Sequence, residues 1–241
     1  LALSLGIDRI HDYLQHFGFG KSSGIDIQGE LSGLLPSREW KRARHDQSWY
    51  PGETLITGIG QGFFLVTPIQ LAVATAALAN GGRLLQPNIV HAEQEANSDD
   101  LLPHQPRIKA SITINEQEHW DHVIEAMVDV VHSTRGTARK IGEDSPYTIA
   151  GKTGTAQVFG LKQEEEYDAD AIPEELRDHA LFVAFAPVEA PQIVVAVIVE
   201  NGGGGGSVAA PIARKILDAY LVAESPVMEE PVDETAGGES P

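Results

Sequence analysis

Tyr147-Thr148-Ile149-Ala150-Gly151-Lys152-Thr153-Gly154-Thr155-Ala156-Gln157-Val158-Phe159-Gly160 is the stretch whose reading decides the fold. Ile149, Thr153, Thr155 and Val158 favour extended backbone, and side chains that alternate in this way suit a strand. Gly151 and Gly154 weaken a strand unless another backbone or a ligand comes close to it. A strand with a lysine, two threonine hydroxyls and a bare glycine edge can dock an extended peptide or an acyl group. The lysine supplies positive charge, the hydroxyls bind a carboxylate, and an exposed N–H can face a developing oxyanion. The plainer alternative is an edge strand with a surface lysine, and the rest of the chain has to decide between them.

Composition removes several function classes. The 241 residues leave room for one large domain or part of one. With 35 acidic residues against 17 basic ones, the formal charge is -18, and no basic stripe exists to displace counterions from phosphate. That argues against nucleic acid and against an electrostatic hold on anionic lipid. There is no cysteine, so disulfides and thiolate metal sites are excluded. No run of about 18 apolar residues marks a span or an export signal. Leu1-Ala2-Leu3-Ser4-Leu5 opens without a helix cap, so the chain is expected to be the C-terminal portion of something longer.

Moving outward from the central stretch, punctuation residues lay out the elements. Asp8 is expected to cap a helix whose face carries Ile10, Tyr13, Leu14 and Phe17, with Gly18 as its stop. Residues 18 to 36 read as loop, and Pro36-Ser37 opens a short polar helix around Trp40. His45 to Glu53 reads as loop, with Trp49 and Tyr50 as anchors. Gly58-Ile59-Gly60-Gln61-Gly62 follows, and its alternating glycines suggest tightly packed backbone. It lacks the spacing of a dinucleotide fingerprint and the lysine of a phosphate loop. Thr67-Pro68-Ile69-Gln70 spells a capping box with proline at the first helical position. The helix it opens is expected to run to Asn80 with Ile69, Ala72, Val73 and Ala76 buried.

Residues 83 to 112 read as an extended connection. An amphipathic helix is expected from Asn115, with Trp120, Val123, Ile124, Met127 and Val131 on one face. Strands are expected at Leu181 to Phe185 and at Ile193 to Val199; the second is continuously apolar and so covered on both faces. Gly202 to Gly206 reads as a flexible loop, and Val208 to Val222 as a helix burying Ile212, Ile216, Leu217 and Tyr220. The acidic stretch from Leu161 to Asp178 reads as a solvated loop or short helix. Residues 223 to 241 read as a disordered acidic tail.

Lys152-Thr153-Gly154 resembles the third motif of the penicillin-recognising serine transpeptidases and serine β-lactamases. The order of further segments sharpens this: Gly-Ile-Gly-Gln-Gly, Thr-Pro-Ile-Gln-Leu-Ala, Gly136-Thr137-Ala138, Lys-Thr-Gly-Thr-Ala-Gln, then His179-Ala-Leu-Phe-Val-Ala-Phe-Ala-Pro. Residues 1 to 222 resemble the C-terminal portion of the transpeptidase domain of class B penicillin-binding proteins. The branch they resemble is penicillin-binding protein 2, the peptidoglycan-elongation type of Gram-negative rods. The resemblance implies an α+β fold with α/β layering, a partial transpeptidase or serine β-lactamase-like fold. Its antiparallel sheet, with three C-terminal strands present, would have helices packed around it. It implies a membrane-anchored D,D-transpeptidase at the periplasmic face of the bacterial inner membrane, using no cofactor and no metal. Its partners would be peptidoglycan stem peptides, β-lactams and a glycan-polymerising elongation protein.

By the same resemblance Lys152 would hold a proton-shuttling serine, and Thr153 and Thr155 would bind the substrate carboxylate. Gly154 would let the substrate strand lie close, and the Thr155 N–H would form half of an oxyanion hole. Two other motifs of the family are not found. None of the seven lysines has a serine three residues before it. Thr137-Ala138-Arg139-Lys140 only imitates the nucleophile motif, and Ser98-Asp99-Asp100 only imitates Ser-x-Asn. The chain alone is therefore expected to be inactive and to expose apolar sheet and helix surface. A non-catalytic binding homologue and a β-lactamase-like hydrolase are the alternative functions. His179 tempts as a base, but a strand-start histidine bonding loop backbone is the plainer reading. His119 and His122, one turn apart, could share a metal, though no carboxylate pattern supports it.

Overall fold

The computed structural model describes residues 1–95, 100–157 and 173–222. In chain order the helices and strands are α1 (Ala2–Leu5), α2 (Ile7–Gln15), α3 (Arg38–His45), α4 (Pro51–Thr57), α5 (Pro68–Ala79), β1 (Arg83–Gln86), β2 (Ala92–Gln94), β3 (Leu101–Pro103), β4 (Arg107–Ser111), α6 (Gln117–His132), β5 (Ala150–Ala156), β6 (His179–Ala186), β7 (Ile193–Val199) and α7 (Ala210–Leu221). β5, β6 and β7 form an antiparallel sheet in that order, with Thr153 opposite Phe182 and Phe182 opposite Val197. β1 pairs with β4 and β2 with β3 as two small antiparallel sheets. The expected three-stranded α+β core is therefore present.

Side-chain alternation divides the sheet's contacts. Phe182, Ala184 and Val195 pack with Ala213 and Leu217 of α7, while Phe185 on the other face packs with Met127 of α6. Among the described residues α6 joins three apolar clusters. Trp120 sits with Phe17 and Leu84, Met127 with Phe185, and Val131 with Ile149 and Leu217. These α6 positions are seven and four residues apart, one stripe of a helix. Each large apolar side chain buried along it contributes about 1.5–3 kcal/mol.

The capping box at Thr67 forms as expected, with Thr67 Oγ1 accepting from Gln70 N and Gln70 Oε1 from Thr67 N. Gln70 is itself buried. Its amide nitrogen donates to Lys21 O and Ser32 O, both at 2.8 Å, stapling the 18–36 loop to α5.

Several expectations need correction. Asp8 is not a cap: Gly6, at φ 76°, holds that place, and Asp8 lies in the first turn of α2, where it pairs with Arg38. Pro51 to Glu53 is helix, because Pro51 starts α4 and Glu53 caps back to Tyr50 N at 2.7 Å. On α5 the deepest side chains are Gln70, Ala74, Thr75 and Ala77, one face round from the expected set. The cap of α6 is Glu116 rather than Asn115, and Val123 is exposed. α7 buries Ala210, Ala213 and Leu217 and leaves Ile212, Ile216 and Tyr220 largely outside. Alanines let a helix lie close on a sheet, and larger residues would hold it away.

The two glycine-rich segments also behave differently from expectation. Of the glycines in 58–62, Gly58 and Gly62 are closely packed, since a Cβ would sit 2.3 Å from Ala2 Cβ at the first and 2.9 Å from Ile56 Cγ2 at the second, and Gly60 is not. Gly60 and Gly62 supply positive φ. The segment 202–206 is not a free loop. Gly205–Ala209 forms a π-type turn leading into α7, and Gly205 is buried. The imitation at Ser98 and Asp99, most of the 161–178 stretch and the 223–241 tail lie outside the described residues.

Candidate active site

β5 pairs with β6 along one edge, and among the described residues no strand lies on its other edge. Two side chains mark that open edge. Lys152 Nζ donates to Thr153 O at 2.7 Å, and Gln61 Nε2 donates to Thr155 O at 2.7 Å. Within a strand the N–H and C=O of one residue point to the same side, so the N–H groups of Thr153 and Thr155 face outward with those carbonyls.

The two strand glycines have different causes. A Cβ on Gly151 would lie 2.5 Å from Phe182 Cζ, so Gly151 makes room for a core ring. A Cβ on Gly154 would meet only Leu181 Cβ, at 3.2 Å, whereas a Cβ on Gly205 would lie 2.5 Å from Gly154 O and 2.2 Å from Leu181 O. The expectation that another backbone comes close to this strand is met there by residue 205.

Thr153 also has a partner that the strand motif does not announce. Its hydroxyl lies 3.0 Å from that of Thr137, in the turn after α6. The entry to β5 is held from three sides. Ile149 N donates to His132 Nε2 at 3.0 Å, Thr148 Oγ1 donates to Glu189, and Tyr147 OH donates to Asp218 at 2.5 Å. Burial, then the Asp218 carboxylate, pushes the Tyr147 phenol above its ordinary range. Burial opposes ionisation of Asp218, but the hydrogen bonds from Tyr147 and Arg214 prevail and hold its carboxyl low.

The four site residues expected from sequence are consecutive on β5: Thr153 and Thr155 turn their N–H and carbonyl groups to the open edge, the Lys152 ammonium reaches that edge, and Gly154 lies between them opposite Leu181. His179, at the start of β6, accepts from Asn201 N at 2.9 Å, which is the plainer reading of that residue. His119 lies 3.5 Å from Glu116, and among the described residues no three His, Asp or Glu side chains gather closely enough to hold a metal. Reading from sequence missed Gln61, and it weighed Thr137 only as an imitation of the nucleophile motif, not as a partner of Thr153. Both sit in segments picked out for their glycines and small residues rather than for these polar side chains.

A family model described as the penicillin binding protein transpeptidase domain matches residues 1–218. The chain belongs to the penicillin-binding protein transpeptidase family. It is similar to the peptidoglycan D,D-transpeptidase MrdA of Haemophilus influenzae, with 42% identity over 231 residues, 95% of this chain and 35% of the relative. It is similar to a crystal structure of Pseudomonas aeruginosa PBP2 in complex with WCK 5153. That match has 48% identity and a TM-score of 0.77, covering 93% of this chain and 46% of that one. A complex between PBP2 and MreC from Helicobacter pylori matches with 30% identity and a TM-score of 0.74, covering 92% of this chain and 37% of that one. The chain spans about a third of the length of the curated relatives it matches. The sheet of β5, β6 and β7 with α5, α6 and α7 around it is part of the penicillin-binding transpeptidase fold, and the resemblance to penicillin-binding protein 2 read from the sequence holds.

Proposed function

We infer that residues 1–222 are the C-terminal portion of the catalytic domain of a peptidoglycan D,D-transpeptidase of cell-wall elongation. The observation that carries this is Lys152-Thr153-Gly154-Thr155 on the strand that leaves an open edge of the sheet, with the N–H and carbonyl groups of Thr153 and Thr155 turned outward. A donor stem peptide lies along this edge as an added strand. Thr153 and Thr155 take its terminal carboxylate, and Lys152 lends positive charge and holds a proton-shuttling serine. The outward N–H of Thr155 supplies one donor of the oxyanion hole, a kind of contact worth roughly 10²–10³ in rate. A serine outside these 241 residues attacks the penultimate D-alanine carbonyl and D-alanine leaves. An amine of a neighbouring stem peptide then resolves the acyl-enzyme, and β-lactams stall at the acyl stage.

The protein acts at the periplasmic face of the inner membrane, anchored there and working beside a glycan-polymerising partner. A similar solved structure, described as structural coordination of polymerization and crosslinking by a peptidoglycan synthase complex, supports an assembly of this kind. Among the described residues no helix is long and apolar enough to cross a membrane.

Fluorescent penicillin tests the reading on the full-length protein, on the 1–241 chain and on full-length Lys152→Ala. The expected result is strong labelling of the full-length protein, none of the chain alone, and much weaker labelling of Lys152→Ala. A full-length protein that stays dark supports a binding homologue instead. Labelling of the chain alone places a nucleophile inside it and overturns the assignment of parts.

A further inference from the structure

The Thr137 hydroxyl lies 3.0 Å from that of Thr153. The backbone on either side of it is fixed. Gly136 N donates to Ser133 O at 3.0 Å, and Ala138 N donates to Val130 O at 2.9 Å. Gly206 closes in from behind, where a Cβ would stand 2.2 Å from Thr137 O. The exposed hydroxyl is therefore held beside β5 by its surroundings and not by the hydroxyl contact alone.

The segment from Ser133 to Ile141 carries Arg135, Arg139 and Lys140 and no acidic residue, in a chain whose formal charge is -18. Arg139 is tied back to Thr134 O at 3.2 Å, so its charge stays with the turn. An anion meets a locally favourable field at this turn.

Two hydroxyls that share one hydrogen bond leave one proton free. If Thr153 donates to Thr137, the free proton is on Thr137. If Thr137 donates to Thr153, the free proton is on Thr153 and the shared bond polarises it. In either arrangement a carboxylate docking at Thr153 draws on Thr137.

We propose that Thr137 is a carboxylate-binding residue of the site, acting with Thr153 on the anionic end of the acyl donor. The proposal rests on the transpeptidase reading above, and its test separates the two. Acylation rates of the full-length protein are measured with benzylpenicillin and with its methyl ester, for wild type, Thr137→Val and Thr137→Ser. Thr137→Val keeps the shape and removes the hydroxyl. The expected result is a fall of about tenfold in the preference for acid over ester, the order of one hydrogen bond to a charged group. Thr137→Ser should keep that preference within about threefold of wild type. Equal losses on acid and ester, or no loss on either, overturn the proposal and leave the transpeptidase reading intact. A wild-type protein that neither probe acylates removes that reading, and the proposal falls with it.

Discussion

The Gln61 amide donates to the Thr155 carbonyl at 2.7 Å, across 94 residues of sequence. This bond ties the Gly58–Gly62 loop to the end of the candidate catalytic strand. The Thr155 N–H, the proposed oxyanion donor, belongs to the peptide unit just before the one whose carbonyl Gln61 holds, so the bond steadies the donor through the backbone angles at Thr155. Gln61→Ala in the full-length protein is expected to slow acylation by penicillin about three- to tenfold, the worth of one neutral hydrogen bond. Melting should move little, because the bond is exposed. A large loss of stability with an unchanged acylation rate would show the bond to be structural only.

Gly205 and Gly206 make the second contact with that strand. A methyl group at 206 meets Thr137 O at 2.2 Å, and one at 205 meets Leu181 O at the same distance. All of these close neighbours are backbone atoms and cannot swing aside. Gly205→Ala and Gly206→Ala are each expected to cost about 1–3 kcal/mol or more in denaturant unfolding. Gly52→Ala in α4 is the control, since its added methyl meets nothing within 4 Å. It should be neutral or stabilising by up to about 1 kcal/mol.

What could be read in advance follows from the range of the interactions. The capping box at Thr67 and Gln70, the strand around Lys152 and the apolar run Ile193 to Val199 are local patterns, and they stand where expected. α4 was hidden because Pro51-Gly52 reads as a turn, although Pro51 and Glu53 are also a helix start. On α7 hydrophobicity points to Ile212, Ile216 and Tyr220, whereas close approach to the sheet selects Ala210 and Ala213. Gln61 and Thr137 act on β5 from 94 and 16 residues away. No periodicity connects such pairs, so only folding reveals them.

His132 makes the entry to β5 sensitive to pH. Its Nε2 accepts from Ile149 N at 3.0 Å, which requires the neutral ring. Burial first, then the Arg214 charge, holds the ring below the ordinary histidine value of 6.5, with Glu189 opposing. A depressed folded value means that the unfolded chain binds the proton first. The contribution is therefore complete above pH 6.5 and is lost as the pH falls from there through the folded value. His132→Gln offers an amide oxygen in place of the ring nitrogen and does not titrate. Between pH 7 and pH 5 the melting temperature of wild type should fall relative to this variant, by a modest amount because the ring is partly open to solvent. Parallel curves for the two proteins would refute the assignment.

Among the described residues Lys41 is the most deeply buried charged side chain, at 2% exposure, and it pairs with Glu53. Its ammonium also lies 4.6 Å from the centre of the Tyr50 ring. Glu53 has a second task, accepting from Tyr50 N to start α4. Burial works against its charge, but the Lys41 hydrogen bond and the Tyr50 N–H hold its carboxyl below the ordinary glutamate range. Taking away only Glu53 strands a buried cation, a change that costs about 3–5 kcal/mol in comparable pairs. Taking away only Lys41 should cost less, because Glu53 is partly exposed and keeps the Tyr50 bond. Glu53→Gln should therefore destabilise more than Lys41→Met, and the double variant should recover most of the difference, since Met fills the same space without charge. Denaturant unfolding of the four proteins measures the coupling directly. Additive losses would mean that the pair contributes as two separate packing positions and not as an ion pair.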